Sequence, residues 1–164
     1  MVHIKDIFKG IVAGRERSDI KSLLAEGNNH YEAGEFEKAI QCFDRIIDFN
    51  PKCADAYYGK GLSLTKLGLY EEAIKNFDKV LAVHPTLIQV LFQKGNTLAY
   101  LARFEEAIEH FDRVIKLNPD FIDAFTNKAI CYRRLGEYSK AFLCVKDADM
   151  TRGKQYLGYS LLKK

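Results

Sequence analysis

Tryptophan is absent, and proline occurs only at Pro51, Pro85 and Pro119. So little proline leaves long stretches free to be helical, and its even spacing marks boundaries between elements. The four cysteines, Cys42, Cys53, Cys131 and Cys144, contain no C-x-x-C pair, so neither a zinc-finger spacing nor a disulfide framework is indicated. They are expected to be reduced thiols, and the expected location is the cytoplasm. No apolar run approaches the roughly 20 residues that cross a bilayer. The opening MVHIKDIFKGIVAG lacks the continuous apolar centre of a secretion signal.

Catalytic motifs are missing as well. There is no H-E-x-x-H, no G-x-S-x-G and no phosphate-cradling glycine loop. His3, His30, His84 and His110 fall in unrelated places. The paired carboxylates Glu71, Glu72 and Glu105, Glu106 stand where helices begin, and acids there favour the positive end of the helix dipole. The expectation is a protein that is not an enzyme and carries no cofactor or metal. Strong net charge is lacking too: 25 basic against 22 acidic residues leave +3. The charge is uneven, since Arg133 to Lys164 carries a net +5 and the remainder −2. Such a run suits an acidic partner or a solvated face, and the neutral repeats before it break any continuous track for nucleic acid.

What the sequence does contain is a period of 34 residues. Four columns carry it: Gly27, Gly61, Gly95, Ala129; Ala39, Ala73, Ala107, Ala141; Phe43, Phe77, Phe111, Val145; and Pro51, Pro85, Pro119, Gly153. Self-similarity at this spacing is the mark of stacked helical hairpins. The second copy predicts a first helix over about Ala54 to Lys66, a turn at Gly68 and a second helix over about Tyr70 to Val83. The matching turns hold Gly34, Ala102 and Gly136. A glycine inside a helix costs about 1 kcal/mol relative to alanine, so the Gly27 column is expected to serve close approach of two helices, with the Ala39 column as its small counterpart. Large apolar columns are expected to be core: Leu23, Tyr57, Leu91, Phe125; Phe36, Tyr70, Phe104, Tyr138; Ile40, Ile74, Ile108, Phe142; and Ile46, Val80, Val114, Ala148.

These columns resemble the tetratricopeptide repeat (TPR) family, whose spacing of Gly, Ala-x-x-x-Phe and Pro is the one present. The resemblance implies an all-α, right-handed α-solenoid of four helix-turn-helix repeats, with capping helices at the N- and C-terminal ends. By period the repeats are 20–53, 54–87, 88–121 and 122–155, within a repeat region of 20–153. Residues 1–19 carry the stripe Ile4, Ile7, Phe8, Ile11 and Val12 and read as an amphipathic cap. Residues 154–164 read as a truncated fifth first-helix that caps the other end through Tyr156, Tyr159 and Leu162.

The family further implies a non-catalytic interaction module. Its concave surface is lined by the second stripe of each first helix. Carried over position by position, the peptide-binding candidates are Asn28, Tyr58, Lys66, Phe92, Gln93, Asn96, Tyr100, Asn127, Arg133 and Arg134. Amides suit a peptide backbone, aromatics supply contact area, and the cations suit a carboxylate. The family's chaperone-tail clamp does not carry over, because only Asn28 among Leu24, Asn28, Gly59, Gln89 and Gln93 matches it. Expected partners are a protein or peptide, or a second copy through the terminal helices, with no membrane partner. A nucleic-acid adaptor using the basic end is the remaining alternative.

Overall fold

The computed structural model describes the backbone of residues 19–161 and the side chains of residues 19–153. Helices occupy residues 19–32 (α1), Phe36–Phe49 (α2), Ala54–Lys66 (α3), Tyr70–Val83 (α4), Ile88–Tyr100 (α5), Phe104–Leu117 (α6), Ile122–Arg134 (α7) and Tyr138–Leu161 (α8). Among the described residues there is no strand. The bounds of α3 and α4 are those the period predicts. The leading segment expected as a cap lies outside the described residues, apart from Asp19 at the start of α1.

Each hairpin closes in the same way. Gly34, Gly68 and Gly136 adopt φ of 77°, 78° and 79°, and Ala102 holds the same place at 58°. The next amide then turns back to a carbonyl five residues earlier, as in Leu69 N to Leu64 O and Arg103 N to Leu98 O. Second helices end alike: the amides of Asn50, His84 and Asn118 donate to Ile46, Val80 and Val114, and the following proline has no N–H to continue the ladder.

The glycine column has a different counterpart from the one expected. A Cβ on Gly27, Gly61 or Gly95 would fall 2.8, 2.6 or 2.8 Å from a ring carbon of Phe43, Phe77 or Phe111. The glycines thus seat the phenylalanine of their own hairpin, and each of these rings is fully buried. Gly59 makes a similar seat for Phe43 from the next hairpin, where a Cβ would lie 2.4 Å from the ring. The Ala39, Ala73 and Ala107 column is wholly buried beside them.

Neighbouring hairpins complete one another's core. Ile74 of the second hairpin clusters with Leu91, Leu98, Phe111 and Val114 of the third and with Ala124 and Cys131 of the fourth. A recurring ion pair marks each joint: Lys60 to Asp44 at 2.5 Å, Lys94 to Asp78 at 2.6 Å and Lys128 to Asp112 at 2.5 Å. The backbones of first helices also approach the next first helix, α3 with α5 and α5 with α7, whereas those of α2, α4, α6 and α8 do not come as close to each other. That crowding bends the stack towards its first helices. The chain is an all-α solenoid.

Two expectations fail at the far end. α8 runs from Tyr138 to Leu161 without a break at Gly153, so residues 154–161 extend the last helix and do not form a separate fifth one. The cause is the missing proline, since a glycine weakens a helix by about 1 kcal/mol but keeps its N–H. The side chains named for that cap, Tyr156, Tyr159 and Leu162, lie outside the described ones. Tyr138 and Phe142, expected in the core, are 69% and 68% exposed. The Phe142 counterparts Ile74 and Ile108 are covered by the hairpin that follows, the Tyr138 counterparts Tyr70 and Phe104 are half-buried, and among the described residues no hairpin follows α8.

Candidate peptide-binding face

Crowding of the first helices places one stripe of α3, α5 and α7 on the inner side of the bend. Two adjoining hollows lie there. One, of ≈ 350 Å³, is lined by Tyr31, Leu62, Thr65, Lys66, Tyr70, Gln93, Asn96 and Tyr100. The other, of ≈ 220 Å³, is lined by Asn96, Ala99, Tyr100, Asn127, Ile130 and Cys131. Asn96 and Tyr100 border both, so the two form one strip that crosses the helices.

Polar pairs tie the floor of the strip together. The hydroxyls of Thr65 and Thr97 lie 3.1 Å apart between α3 and α5, and Thr97 donates to the Gln93 carbonyl at 2.8 Å. Between α5 and α7, Asn127 Nδ2 donates to Asn96 Oδ1 at 2.7 Å. The two asparagines were expected to be open to a ligand; each instead uses half of its amide on the other. The Asn96 Nδ2 donors and the Asn127 Oδ1 acceptor remain, a donor and an acceptor side by side as a peptide group requires. Tyr100 is 66% exposed, and its ring stacks on Tyr70 with centroids 5.5 Å apart and planes at 22°. Tyr31 is propped edge-on by Phe36 at 5.6 Å.

Of the ten candidate residues, Lys66, Gln93, Asn96, Tyr100 and Asn127 meet in this strip. Lys66 is exposed and makes no ion pair among the described residues. Phe92 is spent largely on packing, with its ring 5.8 Å from Phe111 and 4.9 Å from Phe121. Tyr58 is half-buried beside Phe77 at 6.1 Å, and burial pushes its phenol above the ordinary range. Asn28, Arg133 and Arg134 are exposed but line neither hollow. Tyr70, which its column places in the core, also borders the strip. The signal was its hydroxyl: a tyrosine where Phe36 and Phe104 suffice points to an edge that meets water.

Charge at the strip is modest. The acids Glu71 and Glu72 open α4, and Arg103 pairs with Glu106 through two hydrogen bonds of 2.6 Å before α6. Among the described residues no helix is long and apolar enough to cross a membrane. The four cysteines are unpaired. Burial raises the thiols of Cys131, to about 11, and Cys144, which suits packing better than nucleophilic attack.

Sequence models described as tetratricopeptide repeat match residues 24–86, 88–121 and 110–142. No curated protein matches the chain. Among solved structures, a crystal structure of MamA is 21% identical, covers 95% of this chain and 98% of its own, and superposes with a TM-score of 0.80. A second MamA crystal structure, also 21% identical, covers 93% of this chain and 88% of its own at 0.79. MamA from residue 41 to its end, from Desulfovibrio magneticus RS-1, is 22% identical, covers 87% of this chain and 81% of its own, and superposes at 0.80. At these identities the likeness is one of fold.

Proposed function

We propose that this chain, which belongs to the tetratricopeptide repeat family, is a non-catalytic scaffold that holds an extended segment of another protein along its inner face. One observation carries the reading: the two neighbouring hollows share Asn96 and Tyr100 in their lining. A segment lying across them meets the unused half of each asparagine amide with its backbone, and the Tyr100 and Tyr31 rings with its apolar side chains. Lys66, unpaired at the border of the larger hollow, suits a carboxylate on the same segment. The cytoplasm is the proposed location, supported by the four unpaired thiols.

The test compares native-cell capture by the natural chain and by a Lys66→Glu, Tyr100→Ala variant. Both side chains are exposed, so the fold is spared. Loss of an aromatic anchor of this kind costs about 2 kcal/mol, roughly 30-fold in affinity. Polypeptides retained by the natural chain and lost from the variant are the expected result. An identical captured set would remove the reading.

A second reading is self-assembly through the terminal helices. It is favoured by the apolar end of α8, where Tyr138, Phe142 and Leu143 line an open hollow of ≈ 470 Å³. The occupant would be the apolar stripe Ile4, Ile7, Phe8, Ile11 and Val12 of a second copy. Sedimentation of the full chain beside its Phe142→Glu variant and a chain beginning at Asp19 decides it: an oligomer lost in both supports the reading, and a monomer throughout ends it.

A further inference from the structure

The first hairpin breaks the repeat pattern at two neighbouring positions, and both changes introduce metal donors. Position 26 belongs to the column of Lys60, Lys94 and Lys128, yet holds Glu26. Position 30 belongs to the column of Leu64, Leu98 and Tyr132, yet holds His30. The lysines of that column pair with an aspartate of the preceding hairpin, and among the described residues none precedes α1, which frees position 26 from lysine. Nothing in that argument calls for a histidine in place of leucine at position 30.

Glu26 and His30 are one turn apart on α1, and Cys42 faces them from α2. One carboxylate oxygen, one imidazole nitrogen and the Cys42 sulfur lie within 4.8 Å of one another. The His30 Nε2 atom is 3.9 Å from Glu26 Oε1. On the other side of the ring, Nδ1 donates to Glu35 Oε2 at 2.6 Å, and Glu35 is in turn held by Lys38 Nζ at 2.8 Å. That bond selects the tautomer whose lone pair is on Nε2, the atom that faces Glu26. A carboxylate behind a histidine is the support commonly found for imidazole ligands of metals. Cys42 is 5% exposed, so its sulfur stands at the bottom of the cluster and the exposed Glu26 at its mouth.

We propose that Glu26, His30 and Cys42 form a three-ligand site for a zinc ion, with the fourth position open to water. Sulfur, nitrogen and carboxylate oxygen together suit zinc, which takes them at about 2.3, 2.0 and 2.1 Å in a tetrahedron. Closing the donors onto one ion requires them to draw together from within 4.8 Å of one another, and the exposed Glu26 and half-buried His30 side chains have room to do so. Coordination takes Cys42 as thiolate, and its proton passes to solvent. The ion would pin α1 to α2 at the head of the stack. None of the three ligands lines the inner strip, so the site stands apart from the proposed peptide face.

The experiment titrates the full chain with zinc alone and cobalt(II) alone. One equivalent is expected to bind, and the cobalt form is expected to show a near-ultraviolet sulfur-to-metal band with the visible absorption of a tetrahedral ion. Cys42→Ser abolishes the band, whereas Cys144→Ser keeps it. His30→Leu, which restores the residue of its column and should fold, weakens zinc at least tenfold, and Glu35→Ala weakens it about tenfold by releasing the ring. Absence of binding, a cobalt spectrum without the sulfur band, or a band that survives Cys42→Ser would each overturn the proposal.

Discussion

Gly61 and Phe77 are complementary shapes, since a Cβ added at the glycine would stand 2.6 Å from Phe77 Cε1. Gly61→Ala therefore sets a gain in helix propensity of about 1 kcal/mol against displacement of a fully buried ring. Overpacking of this kind costs about 1–3 kcal/mol, so a net loss is expected. The fourth repeat changes both positions together, with Ala129 in place of the glycine and Val145 in place of the phenylalanine. Thermal or denaturant unfolding of Gly61→Ala, Phe77→Val and the double variant checks the relationship. The double variant should lose less than the two singles together, and strict additivity would contradict it.

Ala102 is the one non-glycine turn residue at positive φ among the described residues. An L-residue in that conformation costs about 1 kcal/mol that glycine does not. Ala102→Gly should stabilise the chain by somewhat less than that, because glycine also gains freedom in the unfolded state. The denaturant midpoint should rise with an unchanged slope.

Asn96 and Asn127, proposed above for recognition, also serve structure through their 2.7 Å bond between α5 and α7. Asn127→Ala leaves the Asn96 carbonyl without its donor, at a cost of about 0.5–1.5 kcal/mol. The melting temperature should fall by a few degrees. Replacing both should cost little more than replacing one, and calorimetry on the three variants tests this.

Among the described residues, His110 has a clear consequence for stability against pH. Burial, with help from Lys94 and Arg113, lowers its pKa from 6.5 to about 4, and its Nδ1 is buried without a hydrogen bond among the described residues. The unfolded chain thus takes up a proton near pH 6.5 that the folded chain refuses. Stability should be unaffected above that pH, fall as the solution is acidified towards about 4, and level off below it. The loss should be about 1–2 kcal/mol after discounting for the water that reaches the ring. His110→Asn, which copies Asn76 of the second repeat, should flatten this part of the urea-midpoint profile.

The repeat columns made the fold readable because every hairpin restates the same packing problem, and Ala54–Lys66 and Tyr70–Val83 follow from one period and one proline. Legibility ends where the repetition ends. The missing proline at Gly153 reads as a boundary by analogy, but the backbone responds to the N–H that glycine retains, and α8 continues. Phe142 shares a column with the buried Ile74 and Ile108, and Tyr138 one with the half-buried Phe36, Tyr70 and Phe104, yet both lack a following hairpin to cover them. Within the strip, position in the repeat located Lys66, Gln93, Asn96, Tyr100 and Asn127. It could not reveal that Phe92 leans onto Phe121, because that contact depends on where one side chain rests between two hairpins. The cluster of Glu26, His30 and Cys42 is hidden for a related reason: its donors come from two helices, and only a comparison of columns isolates them.

The lysine–aspartate joints make the stack divisible. With residues 88–121 excised, Lys128 would arrive opposite Asp78 as Lys94 does now, and the shortened rod should still assemble. The same cut removes Asn96 and Tyr100, the two residues common to both hollows. An architecture tolerant of losing a whole segment thus carries a proposed recognition surface that is not, and on that proposal a shortened chain loses its guest before it loses its own shape.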